Sequence, residues 1–237
     1  MLYIVSTPIG NLSDITVRAA KILAECDLIL AEDTRTSKKL LDHLGITTRA
    51  VAYHDFNKEK VTPGLIESLK ENMEIALITD AGTPGVADPA FYLVRAAIAE
   101  GITVTPVPGA SAVLAALVAS GLPTDRFIFE NFLPNKGTQR RKIFEALKDE
   151  TRTMIFYETP HRIVKTLEDI KTVLGDVKVV IARELTKVHE EFLRGSAEEL
   201  LKHFAEHQPR GEMVVLFNVR IKSKSLKSNS FLDERAR

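Results

Sequence analysis

Glycine and proline gather in four loops, each directly after a short apolar run that is typical of a β-strand. The four loops are residues 6–11, 79–89, 107–112 and 157–162. Any one of them, taken alone, is more often a plain tight turn than a binding site. Four such loops at successive strand ends favour a preformed site for a small molecule. Ligands of α/β proteins bind beyond the carboxyl ends of the strands, and glycine lets them approach the backbone closely.

The spacing of these glycines does not match two common nucleotide-binding patterns. The sequence contains neither the G-x-G-x-x-G fingerprint of dinucleotide sites nor a phosphate loop that ends in Gly-Lys-Ser/Thr. A nucleotide anchored mainly through its phosphates is therefore disfavoured.

Two clusters of charged residues also follow apolar runs. Residues 183–187 read Arg-Glu-Leu-Thr-Lys, and residues 32–35 read Glu-Asp-Thr-Arg. A charged loop with an internal ion pair explains the first cluster equally well. The second is typical of a helix start, with Asp33 or Thr34 as the N-cap, and a capping residue can also contact a substrate.

Basic residues suggest where a nucleic acid could bind. The 32 Lys and Arg residues balance 32 Asp and Glu residues, so the net charge of zero requires such binding to rest on local patches. The main patch and its flanking residues comprise Phe132, Asn135, Lys136, Arg140, Arg141 and Lys142. Further basic residues are Arg35, Lys38, Lys39 and those of residues 220–237. Phe132 and Asn135 could meet unstacked bases, although a solvated helix start explains the 136–142 run equally well.

Several protein classes are disfavoured by what the sequence contains. Cys26 is the single cysteine, which excludes an intramolecular disulfide and a cysteine-built metal site. His203 and His207 lie four residues apart, but Lys202 and Glu206 beside them indicate a solvated helix face, so no metal is expected. No signal-peptide pattern and no run of about 20 apolar residues occurs. We therefore expect a cytoplasmic protein without membrane contact.

Ten apolar runs alternate with helical patterns along the chain. They cover residues 2–6, 28–31, 49–53, 74–78, 102–106, 126–130, 152–157, 178–182, 191–194 and 212–219. Helix starts are expected at Thr62-Pro63 and Asp88-Pro89, and helix ends at Gly45, Gly101 and Gly175. The alternation predicts an α/β fold with mostly parallel or mixed sheets and flanking helices.

Turn-forming residues at 120–125 interrupt this alternation and predict a boundary. We expect one α/β lobe over residues 1–121 and a second over 122–219, with a ligand cleft between them. Residues 220–237 carry six basic residues and two acidic ones without an apolar period, which predicts a flexible basic tail.

Seven segments, taken together and in order, resemble the tetrapyrrole-methylase superfamily. They are YIVSTPIGNL at 3–12, AEDTR at 31–35, DAGTPG at 80–85, PVPGASA at 106–112, FYETPHR at 156–162, ARELTK at 182–187 and GE at 211–212. Within the superfamily, they are most similar to the bacterial subfamily that methylates cytidine 2′-hydroxyl groups of small-subunit ribosomal RNA. The resemblance runs from Met1 to about Val219.

The resemblance implies a two-lobed homodimeric enzyme that binds S-adenosylmethionine in the cleft between its lobes. By position it assigns to the cofactor Pro8, Ile9, Asp80, Gly82, Thr83, Pro84, Gly85, Val86, Ser111, Ala112, Tyr157 and Leu185. The implied acceptor is the 16S RNA of the small ribosomal subunit.

Transfer to a ribose hydroxyl requires a positioned oxygen and is helped by a nearby base. The candidates for the base are Lys187, Glu184, Glu158 and Asp33, and the resemblance favours a role in this step for the 183–187 segment, which includes Arg183. The expected RNA contacts are Arg35, Glu158, Arg140 and Arg141. Lys187 could act as a base only if burial or neighbouring groups lowered its pKa, and it could equally hold a phosphate.

Two other functions remain open from the sequence. A carbon methyltransferase for a corrinoid or porphyrin precursor would share the superfamily fold and would need a broad cleft for an anionic macrocycle. A non-catalytic nucleotide-sensing module is a second alternative, which several polar loops directed to one cleft disfavour.

Overall fold

The computed structural model describes residues 1–222, which form ten β-strands and eight α-helices. Contacts divide the chain into one compact unit, Met1–Ala112, and a second that begins at Val113. This division lies at the start of a helix, Ala112–Ser120, whereas the turn-forming residues used for the sequence prediction follow the end of the same helix. Such residues mark the end of any element, including one that no domain boundary follows.

The first unit is an open sheet of five parallel strands. Its elements are β1 (Leu2–Val5), α1 (Val17–Glu25), β2 (Leu28–Ala31), α2 (Thr34–His43), β3 (Ala50–Ala52), α3 (Lys58–Lys70), β4 (Ile75–Ile78), α4 (Ala90–Ala99) and β5 (Val104–Val107). The strand order is β3-β2-β4-β1-β5, and every pair is parallel. The strands are nearly continuous apolar runs because helices cover both faces of the sheet.

Two apolar clusters lie on opposite faces of this sheet. Because side chains alternate along a strand, Leu2 packs with α3 and α4 while Val5 packs with α1 and α2. Helices α1 and α2, which each connect a strand to one nearer the β3 edge, therefore lie on one face. Helices α3 and α4, which each connect a strand to one nearer the β5 edge, lie on the other. The direction changes beside β4, whose neighbours are β2 and β1.

The second unit is a mixed sheet of five strands. Its elements are α5 (Ala112–Ser120), β6 (Phe127–Phe132), α6 (Gly137–Ala146), β7 (Thr153–Glu158), α7 (Ile163–Leu174), β8 (Val177–Arg183), β9 (Glu191–Ser196), α8 (Ala197–Glu206) and β10 (Met213–Lys222). The order is β6-β7-β10-β8-β9, with only β6 and β7 parallel. Helices α6, α7 and α8 pack on one face, around the aromatic residues Phe144, Phe156 and Phe217.

All ten predicted strands are confirmed with no end displaced by more than three residues, but one helix start is wrong. Helix α3 begins at Lys58 with Asn57 as its N-cap, so Pro63 lies inside the helix and Thr62 is no cap. Pro63 is tolerated because it removes only one hydrogen bond, early in the helix, and the packing of Ile66 and Leu69 into the core offsets that cost. Thr62 is buried and donates to the carbonyl of Lys58 over 2.6 Å.

Strand β10 extends past the predicted strand end and includes residues 220–222 of the predicted tail. The rest of that prediction, residues 223–237, lies outside the described residues. Among the helices of residues 1–222, none combines the length and the apolar content needed to cross a lipid bilayer.

Candidate active site

The loops that follow β1 and β4 are hydrogen-bonded to each other. Thr7 N donates to Gly82 O over 2.8 Å, and Gly82 N donates to Thr7 O over 3.1 Å, which forms an isolated antiparallel bridge. Thr7 Oγ1 also donates to the carbonyl of Thr79 over 3.1 Å. The first two predicted loops, with Pro8 and Ile9 in one and Gly82 in the other, are therefore held together.

The loop after β5 joins the same assembly. Ser6 Oγ donates to Thr83 Oγ1 over 3.1 Å, and Thr83 Oγ1 donates to the carbonyl of Ala110 over 3.3 Å. A Cβ atom added at Gly109 would lie 2.8 Å from the Cβ of Ser6, so only glycine fits there. Three of the four predicted loops thus meet at the carboxyl ends of the first sheet, with Ser111 and Ala112 directly after them.

The backbone of residues 82–86 contains two glycines with positive φ, a conformation that residues with a side chain rarely adopt. Gly82 and Gly85 have φ values of 85° and 88°, and a Cβ at Gly82 would lie 3.4 Å from Ile9 Cγ2. The N–H of Gly85 donates to both carboxylate oxygens of Asp88 over 2.8 Å, which fixes the turn around Pro84. Gly82 is buried beside Ile9, whereas Gly85 is exposed with nothing within 4 Å of its Cβ position, so a ligand can approach the backbone at Gly85.

These loops lie where open α/β sheets bind their ligands. Neighbouring strands whose following helices pack on opposite faces leave a crevice at their carboxyl ends. Here β4 leads to α4 on one face, while β1 and β2 lead to α1 and α2 on the other. The fold therefore places the crevice at the carboxyl end of β4, where Asp80 and Gly82 lie.

A polar cluster joins the ends of β2 and β4. Thr79 Oγ1 donates to Glu32 Oε2 over 2.7 Å, and Asp33 N donates to Asp80 Oδ1 over 3.1 Å. Asp33 is the N-cap of α2, as predicted, and accepts from the backbone and side chain of Arg35. These hydrogen bonds lower the pKa of Asp33 to about 2, whereas burial raises the pKa of Asp80. A carboxylate with so low a pKa is a weak base, so Asp33 suits an orienting role better than proton transfer.

The second unit contains the predicted segment 183–187, at the end of β8. Lys187 Nζ lies 3.0 Å from Glu184 Oε1 and 3.4 Å from Glu212 Oε2, so one ammonium contacts two carboxylates. Arg183 forms an ion pair with Glu191, in which Arg183 Nε donates to Glu191 Oε2 over 2.6 Å. Glu184 and Thr186 adopt φ values of 51° and 66°, which side chains rarely adopt and which often mark functional loops.

The surroundings of Lys187 disfavour its prediction as a general base. Burial alone would lower its pKa, but the hydrogen bond that Lys187 donates to Glu184 and the charges of Glu184 and Glu212 outweigh burial and raise it. The hydrogen bond from Lys187 in turn lowers the pKa of Glu184. Lys187 is therefore an ammonium ion at neutral pH, which can hold an anionic oxygen but cannot accept a proton.

Sequence reasoning from residue types did not select two residues that shape this segment. A Cβ at Gly211, whose φ is 76°, would overlap the carboxyl group of Glu184. Glu212 N donates to Glu184 Oε1 over 3.3 Å, and Glu184 N donates to the carbonyl of Glu212 over 3.1 Å. A glycine directly before a predicted strand, as at 211, is the signal that could have indicated this close approach.

Comparison with known proteins identifies the family. Residues 1–201 match the family described as Tetrapyrrole (Corrin/Porphyrin) Methylases. The chain belongs to this family. The resemblance inferred from the seven sequence segments is thereby confirmed.

Individual methylases of this family are similar over most of the chain. A protein of Halalkalibacterium halodurans is 51% identical over 215 residues, which are 91% of this chain and 74% of the relative. One of Thermotoga maritima is 46% identical over 217 residues, which are 92% of this chain and 97% of the relative. Both bear the name ribosomal RNA small subunit methyltransferase I.

Solved methylase structures confirm the fold. A diphthine synthase matches with a TM-score of 0.71 and 18% identity over 92% of this chain and 89% of its own. The cobalt precorrin-4 methyltransferase CbiF matches with a TM-score of 0.67 and 19% identity over 92% and 94%. The predicted fold class, a tetrapyrrole-methylase-like α/β fold with two sheets, is confirmed.

In the second unit of this methylase, the residues predicted to face the cofactor are partly or fully buried. The ring of Tyr157 lies 4.9 Å from that of Phe129 and 5.4 Å from that of Phe132, measured between centroids. Burial, reinforced by the charge of Glu212, raises the pKa of Tyr157. Leu185 is buried in the strained segment. In the first unit, Pro8, Gly82 and Pro84 are buried, whereas Val86 is exposed at the surface of its loop.

Two of the four predicted RNA contacts are buried. Glu158 is 2% exposed and accepts hydrogen bonds from Thr166 Oγ1 and from the N–H of Thr159. Arg140 is 3% exposed and forms an ion pair with Asp169. Neither side chain is accessible to a phosphate, so the predicted direct RNA contacts of Glu158 and Arg140 do not fit the structure.

The other two predicted RNA contacts are accessible. Arg141 shares Asp169 with Arg140, but its side chain is 44% exposed. Arg35 is largely exposed and forms an ion pair with Asp33.

Over residues 1–222, no three His, Cys, Asp or Glu side chains form a group that could hold a metal ion.

Proposed function

We propose that this protein is an S-adenosylmethionine-dependent methyltransferase that methylates the ribose 2′-hydroxyl of a cytidine in 16S ribosomal RNA of the small subunit. The observation that carries the proposal is 46–51% identity, over most of the chain, to proteins named ribosomal RNA small subunit methyltransferase I. The cytidine and the 2′-oxygen are what the resemblance of the seven sequence segments to that subfamily implies. A ribosomal acceptor also supports a cytoplasmic location.

The loops of the first unit fit the cofactor because Gly85 and Gly109 present exposed backbone without a side chain. Pro8, Ile9, Asp80, residues 82–86, Ser111 and Ala112 are proposed to hold S-adenosylmethionine, with Tyr157 and Leu185 contributing from the second unit. When bound, the cofactor supplies an electrophilic methyl group. Gly82, Gly85 and Gly109 support this assignment, since a Cβ at Gly109 would meet Ser6 and the other two have positive φ.

The remaining predicted site residues are proposed to act on the acceptor. The ammonium of Lys187 binds an anionic oxygen of the RNA, because its raised pKa keeps it charged. Glu184 and Arg183 fix the segment that carries Lys187. Asp33 orients the guanidinium of Arg35, which with Arg141 contacts phosphates.

Mapping of ribose methylation in ribosomal RNA from cells with and without the gene tests this function. One 2′-O-methylcytidine of the small-subunit RNA should disappear without the gene and return with it. The purified protein should label small subunits from labelled S-adenosylmethionine. Labelling of a tetrapyrrole precursor in place of RNA would contradict the proposal in favour of carbon methylation, and no labelling of any acceptor would favour a binding module.

We predict that the protein binds S-adenosylmethionine without a metal and that Gly109→Ala weakens this binding by about tenfold or more. The added Cβ would lie 2.8 Å from that of Ser6 and must displace one of the two loops. Gly64→Ala is the matched control, because Gly64 lies in α3 with nothing within 4 Å of its Cβ position. Calorimetry in the presence of a chelator measures both; absence of binding to the parental protein, or equal binding by both variants, would contradict the prediction.

We also propose that the protein is a homodimer, as the family resemblance implies. Helix α4 exposes Phe91 and Ile98, which lie two turns apart on one face, at 67% and 63%. Light scattering at micromolar concentrations should give twice the monomer mass of 26.3 kDa. A monomer mass throughout that range would refute the prediction.

A further inference from the structure

Four charged side chains in the second unit are buried or partly buried. Arg140, Glu158 and Asp169 are each at most 5% exposed, and Arg162 is partly buried against Glu158. Charged groups are costly to bury, and replacing a buried ion pair by apolar residues is often neutral or stabilising. Stability alone therefore gives a weak reason for this network, which suggests that it fixes a geometry.

Both arginines donate to the same short loop. Arg162 Nη2 donates to the carbonyl of Leu133 over 2.5 Å and to that of Pro134 over 3.5 Å. Arg140 Nη1 donates to the carbonyl of Pro134 over 3.4 Å. The loop is defined here as residues 132–136, which comprise the last residue of β6 and the connection to α6, and two guanidinium groups from two helix starts hold its backbone.

A carboxylate holds each arginine in turn. Glu158 Oε1 lies 3.1 Å from Arg162 Nε, while Glu158 Oε2 accepts a hydrogen bond of 2.6 Å from Thr166. Asp169 Oδ2 accepts a hydrogen bond of 2.8 Å from Arg140 Nε. Thr166 and Asp169 both lie on α7, so one helix supports the loop through two ion pairs.

The supported loop presents groups that suit an unpaired RNA strand. Phe132 is 51% exposed, and its ring packs against Tyr157, which is predicted to face the cofactor. Asn135 and Lys136 follow and are exposed. An exposed aromatic ring stacks on an unpaired base, an amide bonds to base edges, and an ammonium contacts phosphate.

We propose that residues 132–136 form an RNA-contact loop and that Arg162 and Arg140, anchored by Glu158 and Asp169, are its positioning residues. This inference rests on the proposed function and deepens it. Glu158 and Arg140 act on the RNA through this loop and not by direct contact. The unpaired segment of the ribosomal RNA that lies next to the methylated nucleotide is the expected occupant.

Kinetics with small ribosomal subunits test the loop itself. Phe132→Ala and Lys136→Ala change exposed side chains and should fold normally. We expect Phe132→Ala to raise the KM for subunits about tenfold, the effect of one lost stacking contact, and Lys136→Ala to raise it about threefold. For Lys136→Ala, the kcat at saturating subunits and the affinity for S-adenosylmethionine should stay within about twofold of parental values. Lys165→Ala, on the exposed side of α7, is the control and should change nothing.

The positioning role is tested by Arg162→Lys, alone and combined with Phe132→Ala. Lysine keeps the charge beside Glu158 but cannot reproduce the guanidinium fork that also reaches Leu133. We expect Arg162→Lys to raise the KM for subunits about tenfold and to add little in the Phe132→Ala background, because both act through one loop.

Several outcomes would overturn the inference. They are an unchanged KM for both loop variants, fully additive effects of Phe132→Ala and Arg162→Lys, or an Arg162→Lys protein that loses kcat and cofactor binding in proportion to its folded fraction. A parental protein that fails to methylate subunits would instead refute the proposed function, and the inference would fall with it.

Discussion

The Lys187→Ala protein is expected to bind S-adenosylmethionine with nearly parental affinity and to methylate small ribosomal subunits at least about a hundredfold more slowly. In the parental protein, the ammonium of Lys187 lies between Glu184 and Glu212. Its removal leaves these two carboxylates unopposed where an anionic RNA must approach. The two carboxylates would then repel the acceptor oxygen, and the contact that orients this oxygen would be lost.

Single-turnover methylation beside cofactor calorimetry measures this effect. Lys187→Arg, which retains a cation, should recover a large part of the rate, because the raised pKa of Lys187 indicates a charge and not a base. A Lys187→Ala protein that methylates at the parental rate would show that the assignment is wrong. Loss of cofactor binding as well would place the segment in the cofactor pocket instead.

Arg140→Ala is expected to lower the free energy of unfolding by about 3 kcal/mol, because the buried Oδ2 of Asp169 loses its partner while Oδ1 keeps Arg141. The side chains of Arg140 and Asp169 are 4% and 8% exposed, so Asp169 cannot regain the lost contact from water. Equilibrium unfolding in urea measures the loss, provided that the slope against denaturant concentration is unchanged.

Arg141→Ala is a matched control in the same ion-pair cluster. Its guanidinium lies 2.8 Å from the other oxygen of Asp169 but is largely accessible, so its removal should cost at most about 1 kcal/mol. Arg140→Met combined with Asp169→Leu should recover part of the lost stability, since neither charge of this pair is then left buried. An Arg140→Ala protein within about 1 kcal/mol of the parental value would contradict the buried ion pair.

The strands and the glycine loops could be predicted because their signals are local. An apolar run of four to six residues between turn formers indicates a strand wherever the chain later places it. The N-cap role of Asp33 follows in the same way from its position directly before a helical pattern. Pro63 shows where local signals fail, because packing of Ile66 and Leu69 let α3 begin before the proline.

The sequence by itself therefore determined the α/β class, the strands, the three loops of the first unit and, through seven segments, the family. Only the tertiary structure decided that Glu158 and Arg140 are buried and that Lys187 stays charged. These properties depend on partners far along the chain, such as Asp169 for Arg140 and Glu212 for Lys187. A pKa or a buried charge is set by desolvation and by neighbouring charges in space, and neither can be derived from the residues adjacent in sequence.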